Sequence, residues 1–314
     1  MIHTVLCDLL GIEYPVLQGG MAWIADGRLA AAVSEGGGLG IVAAGNAPAD
    51  YVREQVRIAK SLTEKPFGVN IMLMSPFADE VAQVVAEERV AVVTTGAGNP
   101  AKYMEQWQAA GIKVIPVVAS VAMAKLMTRA GASALIAEGG ESGGHVGELT
   151  TMVLVPQICD TTTLPVIAAG GIADGRGMAA AFMLGACGVQ MGTRFLSAEE
   201  CPIHPAYKEK IIKAKDLCTM VTGKRVGHPV RALRTNFPRS YAKAEYGGAS
   251  DEELDRMGTG ALRLAVQEGD AERGCFLSGQ VAAMVNRVQP AAEIVREVVE
   301  GAEPILRSAG QWVK

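Results

Sequence analysis

Aromatic residues are scarce in this chain, with 6 Phe, 6 Tyr and 3 Trp among 314 residues. Its core must therefore be filled by Ala, Val, Leu, Ile and Met, the side chains of a parallel sheet covered by helices. A basic excess is also missing. Lys and Arg number 29 against 33 Asp and Glu, a formal charge of −4, which leaves nothing to neutralise a phosphate backbone and argues against nucleic acid as a partner. No C-x-x-C pair occurs, because the six cysteines (Cys7, Cys159, Cys187, Cys201, Cys218, Cys275) lie at least 14 residues apart. That excludes a paired-cysteine metal or redox site and fits buried thiols of a reduced compartment. Apolar runs fall short of the ~18 residues of a membrane span, and Asp8 sits within the first apolar stretch. A soluble cytoplasmic protein is expected.

Hydrophobic residues make up 49% of the chain and glycines number 37, and their arrangement is regular. Short β-branched runs begin near Pro15, Leu39, Phe67, Val90, Val114, Ala134, Pro165 and Val189, at intervals of 24, 28, 23, 24, 20, 31 and 24 residues. Helical periodicity with start signals fills several gaps: Gly27–Glu35 after Asp26, Ala49–Leu62 after Pro48, Ala101–Ala110 after Pro100, Val121–Ala130 after Ser120 and Gly175–Leu184 after Asp174. Seven βα repeats and an eighth strand predict an α/β fold, the (β/α)8 TIM barrel, over residues 1–200; an open doubly wound sheet more often stops at five or six strands. Residues 201–275 are richer in Lys, Arg and Glu and show no strand run, so a mostly helical cap or insertion after strand 8 is expected there. In 276–314, an apolar helix from Ser278-Gly279-Gln280 to about Arg287 and an amphipathic one over Ala291–Glu300 would complete the outer ring.

Glycine or a small polar residue follows most strands: Gln18-Gly19-Gly20, Gly68-Val69-Asn70, Thr94-Thr95-Gly96, Glu138-Gly139-Gly140, Ala169-Gly170-Gly171 and Met191-Gly192-Thr193. Any one of these is equally well a plain turn; six at one rim favour a ligand mouth. The loops after strands seven and eight often hold phosphate on backbone N–H groups, and Gly170-Gly171 and Gly192-Thr193 occupy those places. Two ordinary turns remain the alternative. Two other motifs lack their context. Gly38-Leu39-Gly40-Ile41-Val42-Ala43 fits a dinucleotide fingerprint but overlaps a strand instead of opening a helix. Gly140-Glu141-Ser142-Gly143-Gly144 fits a nucleophile elbow, yet too many glycines follow for the helix that motif needs. Ser142 suits a hydrogen-bond donor better.

Of four histidines, His145 alone lies at the mouth end of a strand, in a flexible glycine-flanked loop where an imidazole can donate a proton or hydrogen bond. Together, Gln18-Gly19-Gly20-Met21, the run from Glu138 to Gly147, Ala168-Ala169-Gly170-Gly171-Ile172 and Gln190-Met191-Gly192-Thr193-Arg194 resemble the nitronate monooxygenase superfamily of flavin-mononucleotide (FMN) barrels. Within it, Glu148-Leu149-Thr150-Thr151-Met152, the stretch from Ala169 to Gly175 and His204-Pro205-Ala206-Tyr207-Lys208-Glu209-Lys210 are similar to the flavin-dependent enoyl-acyl carrier protein reductases of FabK type. Val146, where nitronate monooxygenases usually carry a basic residue, favours the reductases.

The resemblance implies that Gly20 and Met21 pack near the flavin ring and that Asn70 hydrogen-bonds to it. Glu138 stands where related monooxygenases carry a glutamine. Ser142 and Gly143 would line the cofactor, while Gly171, Gln190, Met191, Gly192 and Thr193 would hold its phosphate and Gln280 would point toward the mouth. His145 becomes the catalytic candidate. NADH or NADPH is the implied co-substrate, with a monovalent cation as a further cofactor, and the acyl carrier protein as partner. That acidic partner would meet the basic residues of the cap: Lys208, Lys210, Lys213, Lys215, Lys224, Arg225, Arg231 and Arg234. A solvated helical face explains them equally well. A homodimer is the usual outcome for exposed barrel helices. Nitronate oxidation by flavin and oxygen is the first alternative; a non-redox phosphate-ligand barrel of aldolase or isomerase type is the second, weakened because no inner strand position offers a convincing Schiff-base lysine.

Overall fold

The computed structural model describes residues 2–313. Eight strands run parallel: β1 (Val16–Gln18), β2 (Ile41–Ala43), β3 (Gly68–Met72), β4 (Val92–Gly96), β5 (Lys113–Val118) and β6 (Leu135–Glu138), then, past a two-residue β7 (Gly144–His145) outside the sheet, β8 (Val166–Ala169) and β9 (Gly188–Met191). Their order is β1-β9-β8-β6-β5-β4-β3-β2, and a parallel bridge from Leu17 to Leu39 draws the two edges together. This is a TIM barrel. Each strand begins within two residues of its start in the sequence reading.

In chain order the helices of the barrel are α1 (Val5–Leu10), α2 (Gly27–Glu35), α3 (Ala49–Leu62), α4 (Ala78–Glu87), α5 (Met104–Ala109), α6 (Val121–Arg129), α7 (Thr151–Cys159) and α8 (Gly175–Met183). Asp26, Ser120 and Asp174 cap α2, α6 and α8 through side-chain bonds to first-turn N–H groups. α4 has no such signal, since Phe77 precedes it without a capping bond, and the sequence pattern passes over it. The predicted helix at Ala101 is split into a 3-10 turn, Pro100–Tyr103, and α5.

Period-two alternation divides the sheet into layers. Leu17, Ile41, Val92, Ile115, Ile136 and Ile167 share the cluster inside the barrel, and Leu6, Cys7 and Leu10 of α1 belong to it. α1 closes the N-terminal end, for a Cβ at Gly188 would lie 2.4 Å from Leu6 Cδ2. Val69, Val93, Val166 and Val189 instead pack outward under the helices. The same alternation turns Asn70, Thr94, Glu138 and Gln190 inward at the C-terminal end. A polar layer therefore caps an apolar barrel.

The cap contains α9 (Pro205–Ile212), β10 (Thr219–Thr222), β11 (Val230–Leu233), α10 (Asn236–Tyr246), α11 (Asp251–Gly258) and α12 (Ala261–Arg263), which runs into a π turn, Leu264–Glu268. The expectation of no strand here is corrected. β10 and β11 are antiparallel, and β11 pairs with β7, joining Val230 to His145. Each strand has only four residues and a mixed burial pattern, so neither produces the continuous apolar run of a barrel strand. The helix expected from Gln280 to Arg287 is also corrected to a 3-10 turn, Gln280–Met284. Its first amide is drawn to Glu141 O at 2.9 Å. The last helix, α13 (Ala291–Arg307), crosses α2 and α8 at glycines: a Cβ at Gly36 would lie 2.6 Å from Ala292 Cα, and one at Gly175 would lie 2.2 Å from Gly301 C. Among the described residues no helix is long and apolar enough to cross a membrane.

Candidate active site

Sheet register brings the inward polar residues together. Asn70 on β3 faces Thr94 on β4, and Glu138 on β6 faces Ala169 on β8, which in turn faces Gln190 on β9. Asn70 Nδ2 donates to Thr94 Oγ1 at 3.0 Å, which leaves its carbonyl oxygen free to accept from a ligand. A Cβ on Gly20 would lie 2.3 Å from Asn70 Cβ, so only glycine allows the loop after β1 to pass over that amide. Gln190 is 7% exposed, and its side chain makes no hydrogen bond among the described residues. Its side-chain amide is therefore open to a ligand at the mouth.

The turns expected to hold a phosphate have an equally specific geometry. Gly170 and Gly171 have φ of +90° and +74°, a left-handed pair that glycine adopts without strain. No backbone acceptor among the described residues takes the amides of Gly171, Gly192 or Thr193. The Thr193 hydroxyl accepts from Gly279 N at 2.8 Å, so its own proton remains available for donation. Met21 lies beside this turn, its sulfur 3.6 Å from where a Gly192 Cβ would be. Met191 is 1% exposed and packs with the outer core, so only its backbone remains for a phosphate. Three orphaned amides and a hydroxyl on one side, with Asn70 and Gln190 on the other, fit a flavin carrying a single phosphate.

The loop from β6 to α7 lies between these ends. Ser142 Oγ donates to Glu138 Oε1 at 3.3 Å. Burial pushes the half-buried Glu138 carboxyl up to about 7, and the Ser142 bond opposes that only in part. Gly143 packs closely on the 278–280 segment, since its Cβ would lie 2.6 Å from Ser278 C. β7 follows it instead of a helix, which removes the nucleophile-elbow reading of Ser142. The dinucleotide motif is structural too: a Cβ at Gly40 would lie 1.8 Å from Ala30 O, against α2.

His145 is not in a flexible loop, contrary to the sequence reading. It is pinned in β7 against Val230, and Val146 N donates to Pro229 O at 3.0 Å. Loss of hydration against neighbouring protein atoms, and then the charge of nearby His228, hold its pKa below the usual imidazole range. Gln280 is exposed, and its backbone amide donates to Glu141 O of the loop.

Three positioning residues escaped the sequence reading. Arg231, counted there as a docking cation, donates through Nε and Nη2 to Gly140 O at 3.2 and 2.8 Å and through Nη1 to Thr219 Oγ1 at 3.2 Å. Glu141 accepts from Thr151 N at 3.0 and 2.9 Å, closing the N-terminus of α7. Thr151 Oγ1 lies 2.9 Å from Gly170 O, tying that helix start to the glycine pair. Neither Glu141 nor Thr151 gives a local capping pattern, because ten residues separate them.

The nitronate monooxygenase family model matches residues 3–84 and 75–301 of this chain. The chain belongs to the nitronate monooxygenase family. Among similar solved structures, FabK from Thermotoga maritima is 50% identical, with all of both chains covered and a TM-score of 0.97. A Mycobacterium tuberculosis protein named (3aS,4S,5R,7aS)-5-hydroxy-7a-methyl-1-oxo-octahydro-1H-indene-4-carboxyl-CoA dehydrogenase is 32% identical over all of this chain and 99% of its own length. A protein of Staphylococcus saprophyticus, named as a probable nitronate monooxygenase, is 32% identical over 97% of this chain and 99% of its own. Members of the family and these neighbours are flavin oxidoreductases, and so is this enzyme. Family membership sets aside the aldolase or isomerase alternative.

Proposed function

We propose that the protein is an FMN-dependent enoyl-acyl carrier protein reductase, which reduces trans-2-enoyl thioesters with NADH or NADPH in fatty acid biosynthesis. The observation that carries this reading is the 50% identity to Thermotoga maritima FabK over the full length of both chains, against 32% to the named monooxygenase. The CoA-thioester substrate in the name of the mycobacterial relative also supports thioester chemistry in this barrel. The chemistry FMN supplies when bound is hydride transfer, from the nicotinamide and onward to the β-carbon of the enoyl thioester, while a proton reaches the α-carbon.

The chain's own groups position and polarise. Gly171, Gly192 and Thr193 hold the phosphate through N–H groups and the Thr193 hydroxyl, joined by the backbone of Met191. Gly20, Met21, Ser142 and Gly143 line the cofactor, and Asn70, Glu138 and Gln190 offer polar atoms to the ring. His145, with its pKa lowered, is neutral at pH 7, and a neutral imidazole still has one N–H. It donates a hydrogen bond to the thioester oxygen as negative charge develops there. Two strands hold the ring in place, so little reorganisation is needed during the step.

The test is spectroscopic. Purified protein should be yellow, bleached anaerobically by NADH or NADPH, and restored by a crotonyl thioester. Bleaching by an alkyl nitronate but not by reduced nucleotide would move the assignment to nitronate oxidation, the reading that the family's name supports. A protein that takes up no flavin would end both.

A further inference from the structure

Seven of the eight cap cations fall into two groups. Lys208 Nζ donates to Ala198 O and Glu199 O, at 2.6 and 3.2 Å. Arg225 donates to Glu245 O and Ala249 O and pairs with Asp251. Arg231 holds the β6 loop. These three are committed to the fold. Lys210, Lys213, Lys215 and Arg234 line one open cleft of about 540 Å³ between α9 and α10, where Arg239 joins them; of these, Arg234 also donates through Nη2 to Thr219 O at 3.2 Å, and the Lys210 ammonium lies 5.1 Å from the centre of the Phe276 ring. Lys215 and Arg239 have no partner among the described residues. Glu209, paired with Lys213, is the one carboxylate in the lining.

This concentration of positive charge stands out in a chain whose acids outnumber its bases, 33 to 29. Thr235 adds to it. The residue precedes α10 without a side-chain capping bond, and its hydroxyl is buried without a partner, so it does not itself offset the partial positive charge of that helix start; the carboxylate at that start is Glu272, which accepts from Asn236 Nδ2 at 2.7 Å. Leu217, also in the lining, is 79% exposed. An apolar residue ringed by cations on an open surface has the anatomy of a protein interface, not of a closed pocket for a small anion.

β11 connects the cleft to the mouth. Its last residue, Leu233, lines the cleft, while its first, Val230, pairs with His145. Three residue steps of a strand cover about 10 Å. A substrate tethered to a protein seated in the cleft is therefore delivered beside His145.

We propose that this cleft docks an acidic helix of the acyl carrier protein, its apolar face on Leu217 and its carboxylates on the surrounding cations. The proposal rests on the reductase reading above. The experiment uses holoenzyme and the double variant Lys213→Glu/Lys215→Glu, both exposed residues outside the flavin site. Anisotropy reads the affinity for labelled apo-acyl carrier protein, and turnover is compared on crotonyl thioesters of the carrier and of CoA.

The expected result is a loss of carrier affinity and of kcat/KM on the carrier thioester of about ten-fold at low salt, shrinking as salt rises, with kcat/KM on crotonyl-CoA unchanged. Unchanged carrier affinity overturns the proposal. An equal fall on crotonyl-CoA also overturns it, and assigns the cleft to nucleotide phosphates. If wild-type enzyme binds the carrier and loses it on charge reversal, yet reduces neither thioester, docking stands and the reductase reading fails.

Discussion

Glu138 permits a stability test that needs no cofactor. Its carboxyl titrates near 4.5 in an unfolded chain and is raised to about 7 in the fold by burial. Between these values the folded protein binds a proton that the unfolded chain has released, so stability falls as pH rises. The contribution is fully present below about 4.5 and lost above about 7. Converted at about 1.4 kcal/mol per tenfold, the whole difference corresponds to roughly 3 kcal/mol. Because the side chain keeps some contact with solvent, about 1–3 kcal/mol is the range to look for. Glu138→Gln preserves the shape and the acceptor for Ser142 but removes the titration. Urea unfolding of flavin-free protein should show the variant gaining that amount on wild type at pH 8 compared with pH 5. An effect of the same size at both pH values would refute the claim that an ionised carboxylate is disfavoured there.

Gly20→Ala places a methyl 2.3 Å from Asn70 Cβ; overpacking of this kind costs about 1–3 kcal/mol, and purified protein should show lower flavin absorbance per chain. Arg231→Met leaves Gly140 O without its two guanidinium donors, so amides of residues 139–147 should exchange hydrogen faster and stability should fall by about 1–3 kcal/mol. Unchanged exchange would remove Arg231 as the clamp of that loop. His145→Ala should retain flavin, since none of the phosphate or ring contacts involves it, while kcat on the enoyl thioester falls about 100-fold or more; unchanged kcat would take His145 out of the mechanism.

The barrel was legible because its determinants are local. A parallel strand buried on both faces needs an unbroken apolar run, and a helix capped by Asp26 or Asp174 announces its own start. The glycine turns proposed for the phosphate were legible for the same reason, as Gly170-Gly171 and Gly192-Thr193 directly follow strands that periodicity had already placed. What the sequence hid depends on contacts between distant segments. Arg231 and Gly140 are 91 positions apart, and a basic residue in a charged stretch looks alike whether it meets solvent, a partner or a carbonyl. Four-residue strands such as β10 and β11 become strands only by pairing with each other and with β7. Gln190 was visible as a member of a motif, but its lack of a partner could be seen only once its neighbours were in place.

The same distinction explains the place of His145. Glycines on either side suggested mobility, yet they serve close approach: Gly143 lies against Ser278 and Gly279, and Gly147 against Ala119. These contacts and β11 turn a glycine-rich loop into an ordered edge whose position is set by the cap. The cap is itself fastened to the barrel rim. Tyr207 OH donates to Leu277 O at 2.6 Å, and the Arg263 guanidinium stacks 4.6 Å over the ring of Trp23. Trp23 has a φ of 63°, a left-handed conformation that is strained for a bulky side chain and persists only where packing enforces it. Cap and barrel thus share one mouth. Leu233 at the cleft and Val230 against His145 belong to the same strand, so the proposed docking surface and the candidate polarising group are both positioned by β11.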